Sequence, residues 1–156
     1  MDQWNDYTNI DLIIAVRSFE NKDPYINKPA SKLVNCWRAG VPAILAPESS
    51  FIACRKSELD FMIIKSFEDT INAVKTLKSN PELYLKMITN GLERAKEFTP
   101  EIVKEQWVNF FDNVAFPAYD QWQSFSPIYK RANYLQRYLS LKLKRINNQI
   151  QKFVSE

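Results

Sequence analysis

The sequence predicts an α/β protein: a short parallel sheet of about three strands layered with helices, followed by a C-terminal amphipathic helix. Three observations carry this expectation. Short apolar runs rich in β-branched residues alternate with longer segments of helical periodicity. Helix start and stop signals punctuate the spaces between them. Residues 128–156 combine apolar periodicity with a concentration of basic side chains.

Asn9 to Arg17 (NIDLIIAVR) is a nearly continuous apolar run, the habit of a strand buried on both faces beneath helices. A polar loop from Ser18 to about Lys28 follows. A short helix is expected from about Ala30 to Ala39, because Gly40 suits its left-handed C′ position and Pro42 forbids continuation. Pro42 to Ala46 reads as a second buried strand and Phe61 to Ile64 as a third. Ser66 then caps a helix whose third residue, Asp69, completes a capping-box-like start. Phe67, Ile71, Val74 and Leu77 form its apolar stripe. Asn80-Pro81 opens the next helix, with Leu85, Ile88, Leu92 and Ala95 as the stripe. Thr99-Pro100 repeats the signal, and Val103, Trp107, Phe110, Phe111 and Val114 then make a wide aromatic face, with Trp107, Phe110 and Phe111 expected in the core. Strands alternating with helices imply parallel crossover connections.

Pro117 to Pro127 (PAYDQWQSFSP) reads as a linker. The domain organisation is therefore 1–116 as the layered domain, 117–127 as the linker and 128–156 as a basic helical tail. In that tail Tyr134, Leu135, Tyr138, Leu139, Leu141, Leu143, Ile146, Ile150 and Phe153 recur in an approximately helical pattern.

Composition narrows the function classes. Apolar residues make up 46% and charged residues 25%, which places the chain among globular proteins. The net charge is +3, but residues 128–156 carry Lys130, Arg131, Arg137, Lys142, Lys144, Arg145 and Lys152 against Glu156 alone. The tail is thus basic while the preceding residues are acidic on balance. No nucleic-acid-reading motif accompanies the charge, and no nucleic-acid partner is expected. The absence of His removes His-ligated metal sites and the Ser-His-Asp type of triad. No metal-ligand cluster and no cofactor is expected. Cys36 and Cys54 are the only cysteines, which suggests a reducing compartment. The polar, acidic start is unlike a signal peptide, and no apolar run approaches the ~20 residues that span a bilayer. A cytoplasmic location is expected, with the tail able to lie at the inner face of the membrane.

The segment that carries chemistry runs from Lys28 to Pro42 (KPASKLVNCWRAGVP). Lys28 and Lys32 sit at or beside the first helical turn, where the helix dipole disfavours cations by roughly 0.3–1 kcal/mol each. No acid lies between Pro24 and Pro47. An anion held at the helix N-terminus accounts for this inversion. Ser31, Asn35 and Arg38 fall at i, i+4 and i+7 and supply hydroxyl, amide and guanidinium donors suited to a nucleotide diphosphate or its ribose. The same stripe also reads as the helix's solvated face. Arg17, at the carboxyl end of the first strand, stands where open α/β sheets bind ligands, or simply ends the strand. Glu48 and Glu58 read as solvated loop acids near the cleft mouth. Cys36 reads as inert packing.

The order DLIIAVR, loop, KPASKLVNCWRAGVPAIL, short strand and two helices resembles the C-terminal lobe of GT-B glycosyltransferases, of the group 1 or family 4 type. The likeness covers about residues 9–114, and its most specific part is SKL-x-N-x-x-x-A-G-V-P. The resemblance implies a partial Rossmann-like three-layer domain that binds a nucleotide-sugar. It places Ser31 and Lys32 by the donor phosphates and Asn35 at the ribose. The catalytic base would fall to the acceptor-binding lobe, and catalytic residues in this chain are unknown. Two departures accompany the likeness. Asn27 and Asn35 stand where the family commonly carries paired glutamates, and the usual glycines of the preceding loop are missing. A complete lobe has about six parallel strands, of which three are recognisable here. A fragment is therefore expected, whether a split gene product, a truncated reading frame or a partner for a second polypeptide, with the first strand's outer edge left uncovered. In the family a final helix braces the other lobe, so part of the aromatic surface of Trp107, Phe110 and Phe111 is expected to be exposed where that lobe is missing.

The expected function is donor binding in a sugar transferase, with the nucleotide-sugar as substrate. Two alternatives stand beside it: a non-catalytic, degenerate interaction protein that keeps the packing, and a membrane-surface adaptor using the basic tail on anionic lipid. The tail also reads as a helix docked on the domain with its lysines in water.

Overall fold

The computed structural model describes residues 6–20 and 25–154, with side chains described as far as Ile150. Residues 21–24 of the expected loop and the side chains of Lys152 and Phe153 lie outside that description. The described residues form an α/β protein with a short, open, three-stranded parallel sheet. The elements run β1 (Ile13–Ala15), α1 (Ser31–Ala39), β2 (Ala43–Leu45), α2 (Ser49–Cys54), β3 (Met62–Ile63), α3 (Phe67–Ser79) and α4 (Pro81–Ala95). After a 3-10 turn at Lys96–Phe98 come α5 (Pro100–Phe110), a π turn (Phe111–Ala115), α6 (Phe116–Ser124) and α7 (Pro127–Val154). Two compact units divide this chain between Val103 and Lys104, ahead of the break expected at residue 116.

In the first unit the sheet order is β1-β2-β3, with Ile14 opposite Ile44 and Ile44 opposite Met62. Side chains alternate across it, as the pleat requires. Ala15, Ala43 and Leu45 join Leu33, Cys36 and Trp37 of α1 and Phe51 of α2 in one cluster. Ile44 and Ile64 join Ala73 and Leu77 of α3 and Met87 of α4 in another. The central strand β2 is buried throughout, which is why its sequence shows no polar alternation. β1 is an edge strand with Ile14 exposed.

The punctuation signals act as the sequence predicts. Gly40 takes φ 66°, and the N–H groups of Gly40 and Val41 donate to the carbonyls of Trp37 and Cys36 to close α1. Ser66 Oγ accepts from Asp69 N–H at 3.0 Å while Asp69 Oδ2 accepts from Lys65 N–H at 2.8 Å. Asn80 Oδ1 accepts from Leu83 N–H at 2.9 Å.

The apolar stripes hold less well. α3 buries Ala73 and Leu77, whereas Phe67 is 72% exposed and Ile71 is exposed too. Ala73 and the stripe residue Leu77 join Ile44 and Ile64 in the core, with Val74 packed against them, while the stripe's first two members, Phe67 and Ile71, stay exposed. α4 buries Met87, Gly91 and Arg94, and leaves Leu85 and Leu92 exposed. A Cβ on Gly91 would stand 3.0 Å from Trp37 Cδ1, so the glycine permits α1 and α4 to approach closely. Residue size and a buried ion pair, rather than hydrophobicity alone, select the face that α4 buries.

In the second unit the expected core aromatics are at the surface. Trp107 is 56% exposed, and Phe110 and Phe111 are exposed as well. Their rings meet one another at centroid separations of 5.7–5.9 Å. The stretch read as a linker is mostly helical, since α6 occupies Phe116–Ser124. Phe116 N–H donates to the Phe111 carbonyl in the wide i→i−5 spacing of a π turn. This widening lets the chain accept Pro117, which has no N–H, without ending the helix. Among the described residues no helix is long and apolar enough to cross a membrane.

Candidate functional site

Parallel strands bring their carboxyl ends to one edge of the sheet, where the loops that follow them enclose a crevice. Here the crevice has a volume of about 180 Å³. Ser18 and Phe19 line it after β1, Ala46, Pro47 and Glu48 after β2, and Ile64 and Lys65 after β3. Tyr25 closes it from the β1–α1 loop. That residue has φ 50°, a left-handed backbone costing a non-glycine residue about 1–2 kcal/mol. Its carbonyl accepts from Lys28 N–H at 2.9 Å, so a tight turn holds it there.

Arg17 joins two of these lining residues. Its Nε lies 3.1 Å from both carboxylate oxygens of Glu48, and its guanidinium carbon sits 5.3 Å from the Tyr25 ring centroid. Glu48 is 5% exposed, so it is not the solvated loop acid the sequence suggests. Backbone extension after β2 directs it toward Arg17, and burying the carboxylate requires that partner. The pair ties the ends of β1 and β2 together across the mouth of the crevice.

The other sequence-predicted residues are distributed along α1. Lys28, Ser31 and Lys32 are exposed around its first turn, whose cap residue Ala30 offers no side-chain acceptor. That turn carries no acid, as expected. Asn35 is half-buried and hydrogen-bonds the Tyr7 hydroxyl, while burial pushes that hydroxyl up. Arg38 Nη2 donates to the Phe98 carbonyl, beyond α4. None of these five lines the crevice; Glu48, expected near the cleft mouth, does, and Arg17 is held against it and Tyr25. Glu58 is exposed. Cys36 is fully buried and its thiol is pushed up to about 11 by burial, so it stays protonated at neutral pH.

A second polar constellation was not legible from periodicity. Asp60, 2% exposed, accepts from the N–H groups of Lys56 and Ser57 at 2.6 and 2.8 Å and from Asn90 Nδ2 at 2.9 Å. Arg94, 7% exposed, places Nε 3.1 Å from Asp60 Oδ1 as an ion pair. It also donates to the Cys54 carbonyl at 2.6 Å and to Glu97, and lies 4.8 Å from the Trp37 ring centroid. Trp37 Nε1 in turn donates to the Asp60 carbonyl at 2.9 Å. Burial pushes the Asp60 carboxyl up, yet the hydrogen bonds from Lys56, Asn90 and Ser57 and the Arg94 charge together hold it below the usual carboxylate range. These groups brace α4 against α1 and the β3 approach, with Arg94 Nε held by the charge of Asp60 and not by a hydrogen bond. The arrangement is structural. Its one sequence signal is the short Ser57-to-Asp60 turn, where an Asp side chain can collect backbone N–H groups.

Among the described residues no group of His, Cys, Asp and Glu is assembled to hold a metal ion. The chemistry on offer at the crevice is that of the Glu48 carboxylate with its Arg17 guanidinium, the Lys65 side chain, the Ser18 hydroxyl, the Phe19 and Tyr25 rings and backbone groups at the carboxyl edge of a parallel sheet. No family model, curated protein or solved structure matches this chain.

Proposed function

We propose that this chain is the donor-binding lobe of a glycosyltransferase. It would hold a nucleotide-activated sugar while an acceptor hydroxyl attacks the anomeric carbon. The observation that carries the reading is the crevice at the carboxyl ends of all three strands, with Arg17 held between Glu48 and Tyr25 at its mouth. The acid-free, lysine-flanked start of α1 within the KPASKLVNCWRAGVP segment supports it. On this reading the sheet is part of a Rossmann-like three-layer lobe. As the new bond from the acceptor oxygen forms, the bond from the anomeric carbon to the phosphate oxygen breaks and the electron pair leaves with the diphosphate. Arg17, Lys28, Lys32 and the α1 N-terminus stabilise that charge. Lys28, Ser31, Lys32 and Asn35 lie outside the crevice lining, so on this reading they would meet the diphosphate and ribose where these project beyond it, with Asn35 exchanging its hydrogen bond to Tyr7. The acceptor's proton goes to a base on an acceptor-binding lobe.

Calorimetric titration of the full chain with UDP and GDP tests the proposal. Saturable binding of at least one diphosphate is expected, weakened about tenfold by Arg17→Ala or Lys32→Ala through loss of a charge-assisted contact. A chain that binds neither diphosphate would favour a second reading, a non-catalytic interaction protein. One observation already leans that way: the buried Glu48 carboxylate occupies Arg17. Glu48→Gln separates the two, because freeing Arg17 tightens diphosphate binding only where the crevice is an anion site.

A further inference from the structure

Helix α7 is 28 residues long, so it extends about 42 Å. Exposed Ile128, Leu135, Leu139, Leu143, Ile146 and Ile150 recur along it at helical spacing and share one side. Arg131 and Lys142 border one edge of that stripe, with Arg145 further round the same side, while Lys130, Arg137 and Lys144 lie on the opposite side. Exposed Tyr134, Tyr138 and Leu141 lie off the stripe. No Asp or Glu occurs between Pro127 and Val154. Two physical facts therefore need a partner: a narrow apolar face in water, and a set of cations without an acid on the same helix.

We infer that α7 lies along an anionic lipid surface, its apolar stripe entering the headgroup boundary and its bordering cations meeting the lipid phosphates. The helix is not apolar enough to cross a bilayer, which leaves the interfacial orientation. Charge decides between this occupant and a second copy of the chain. Pairing two α7 stripes in parallel would bring Arg131 and Lys142 of each copy to the seam margins with no acid to answer them. An anionic surface neutralises the same residues. The inference stands apart from nucleotide binding, because it uses α7 alone.

Co-sedimentation of the full chain with vesicles tests it. One set is phosphatidylcholine alone and the other contains phosphatidylglycerol. Binding to the anionic vesicles only, lost in high salt, is the expected result. Leu139→Asp is expected to abolish it; Leu139 is 55% exposed, so the variant keeps its fold, which circular dichroism checks. Arg131→Gln and Lys142→Gln are each expected to weaken binding about fivefold. Equal binding to both vesicle types, binding that Leu139→Asp leaves unchanged, or no vesicle binding would overturn the inference. So would self-association or RNA binding in place of vesicle binding.

Discussion

The unit ending at Val103 and the unit beginning at Lys104 are built on opposite principles. In the first, polar groups go inward in company: Arg94 with Asp60, Glu48 with Arg17, Trp37 Nε1 with a carbonyl. Its core is assembled from strands, a glycine that admits a close neighbour, and a buried ion pair. In the second, large apolar groups stay outward in company, with Trp107, Phe110, Phe111 and Phe116 meeting ring to ring at the surface. The contrast shows that a hydrophobic periodicity is a demand for a partner and does not itself name one. The sheet answers that demand in the first unit. In the second, the aromatic rings meet one another and remain exposed.

Three measurements sharpen or break this contrast. The largest effect is expected from Arg94→Ala, which strands Asp60 as an uncompensated buried charge and should cost about 3–5 kcal/mol in urea unfolding. A loss no larger than that of an ordinary surface substitution would mean that the pair is not a core element. Acid should have a smaller effect. A carboxylate held below its unfolded value stabilises the fold above that value, near 3.9 for Asp. That contribution fades as pH falls through the folded value. Stability should thus decline below about pH 4, and Asp60→Asn should flatten the decline. A residual slope remains from Asp69, lowered by the Lys65 N–H, and from Glu97, lowered by its hydrogen bond to Lys56. An Asp60→Asn profile as steep as the wild type would contradict the assignment. The smallest effect is expected from Trp107→Ser, within about 0.5 kcal/mol, because the ring is already largely in water. A loss of several kcal/mol there would erase the difference between the units.

Much of the first unit was legible because its signals are local. The Gly40 C′ position, the Ser66 and Asn80 caps and the uninterrupted apolar β2 each follow from a few neighbouring residues. Arg17 was legible as a residue at the carboxyl edge for the same reason. Glu48 was not, since nothing within its own loop indicates that an arginine 31 positions earlier will bury it. Asn35 and Arg38 share a helix face in the sequence pattern, but Tyr7 and the Phe98 carbonyl take them in different directions.

Backbone chemistry thus determined where α1 ends and where α3 and α4 begin, because propensity, capping and proline act over a handful of bonds, whereas α2 and α6, which have no side-chain cap, were not legible in this way. The same short-range chemistry made the acid-free turn of α1 and the acid-free length of α7 visible. Tertiary structure decided which face of α3 and α4 is buried, which carboxylates are paired, and that the stripe around Trp107 is left in water. Those outcomes depend on distances between residues far apart in the chain. Burial free energy is a property of what lies opposite a side chain, and no local pattern contains it.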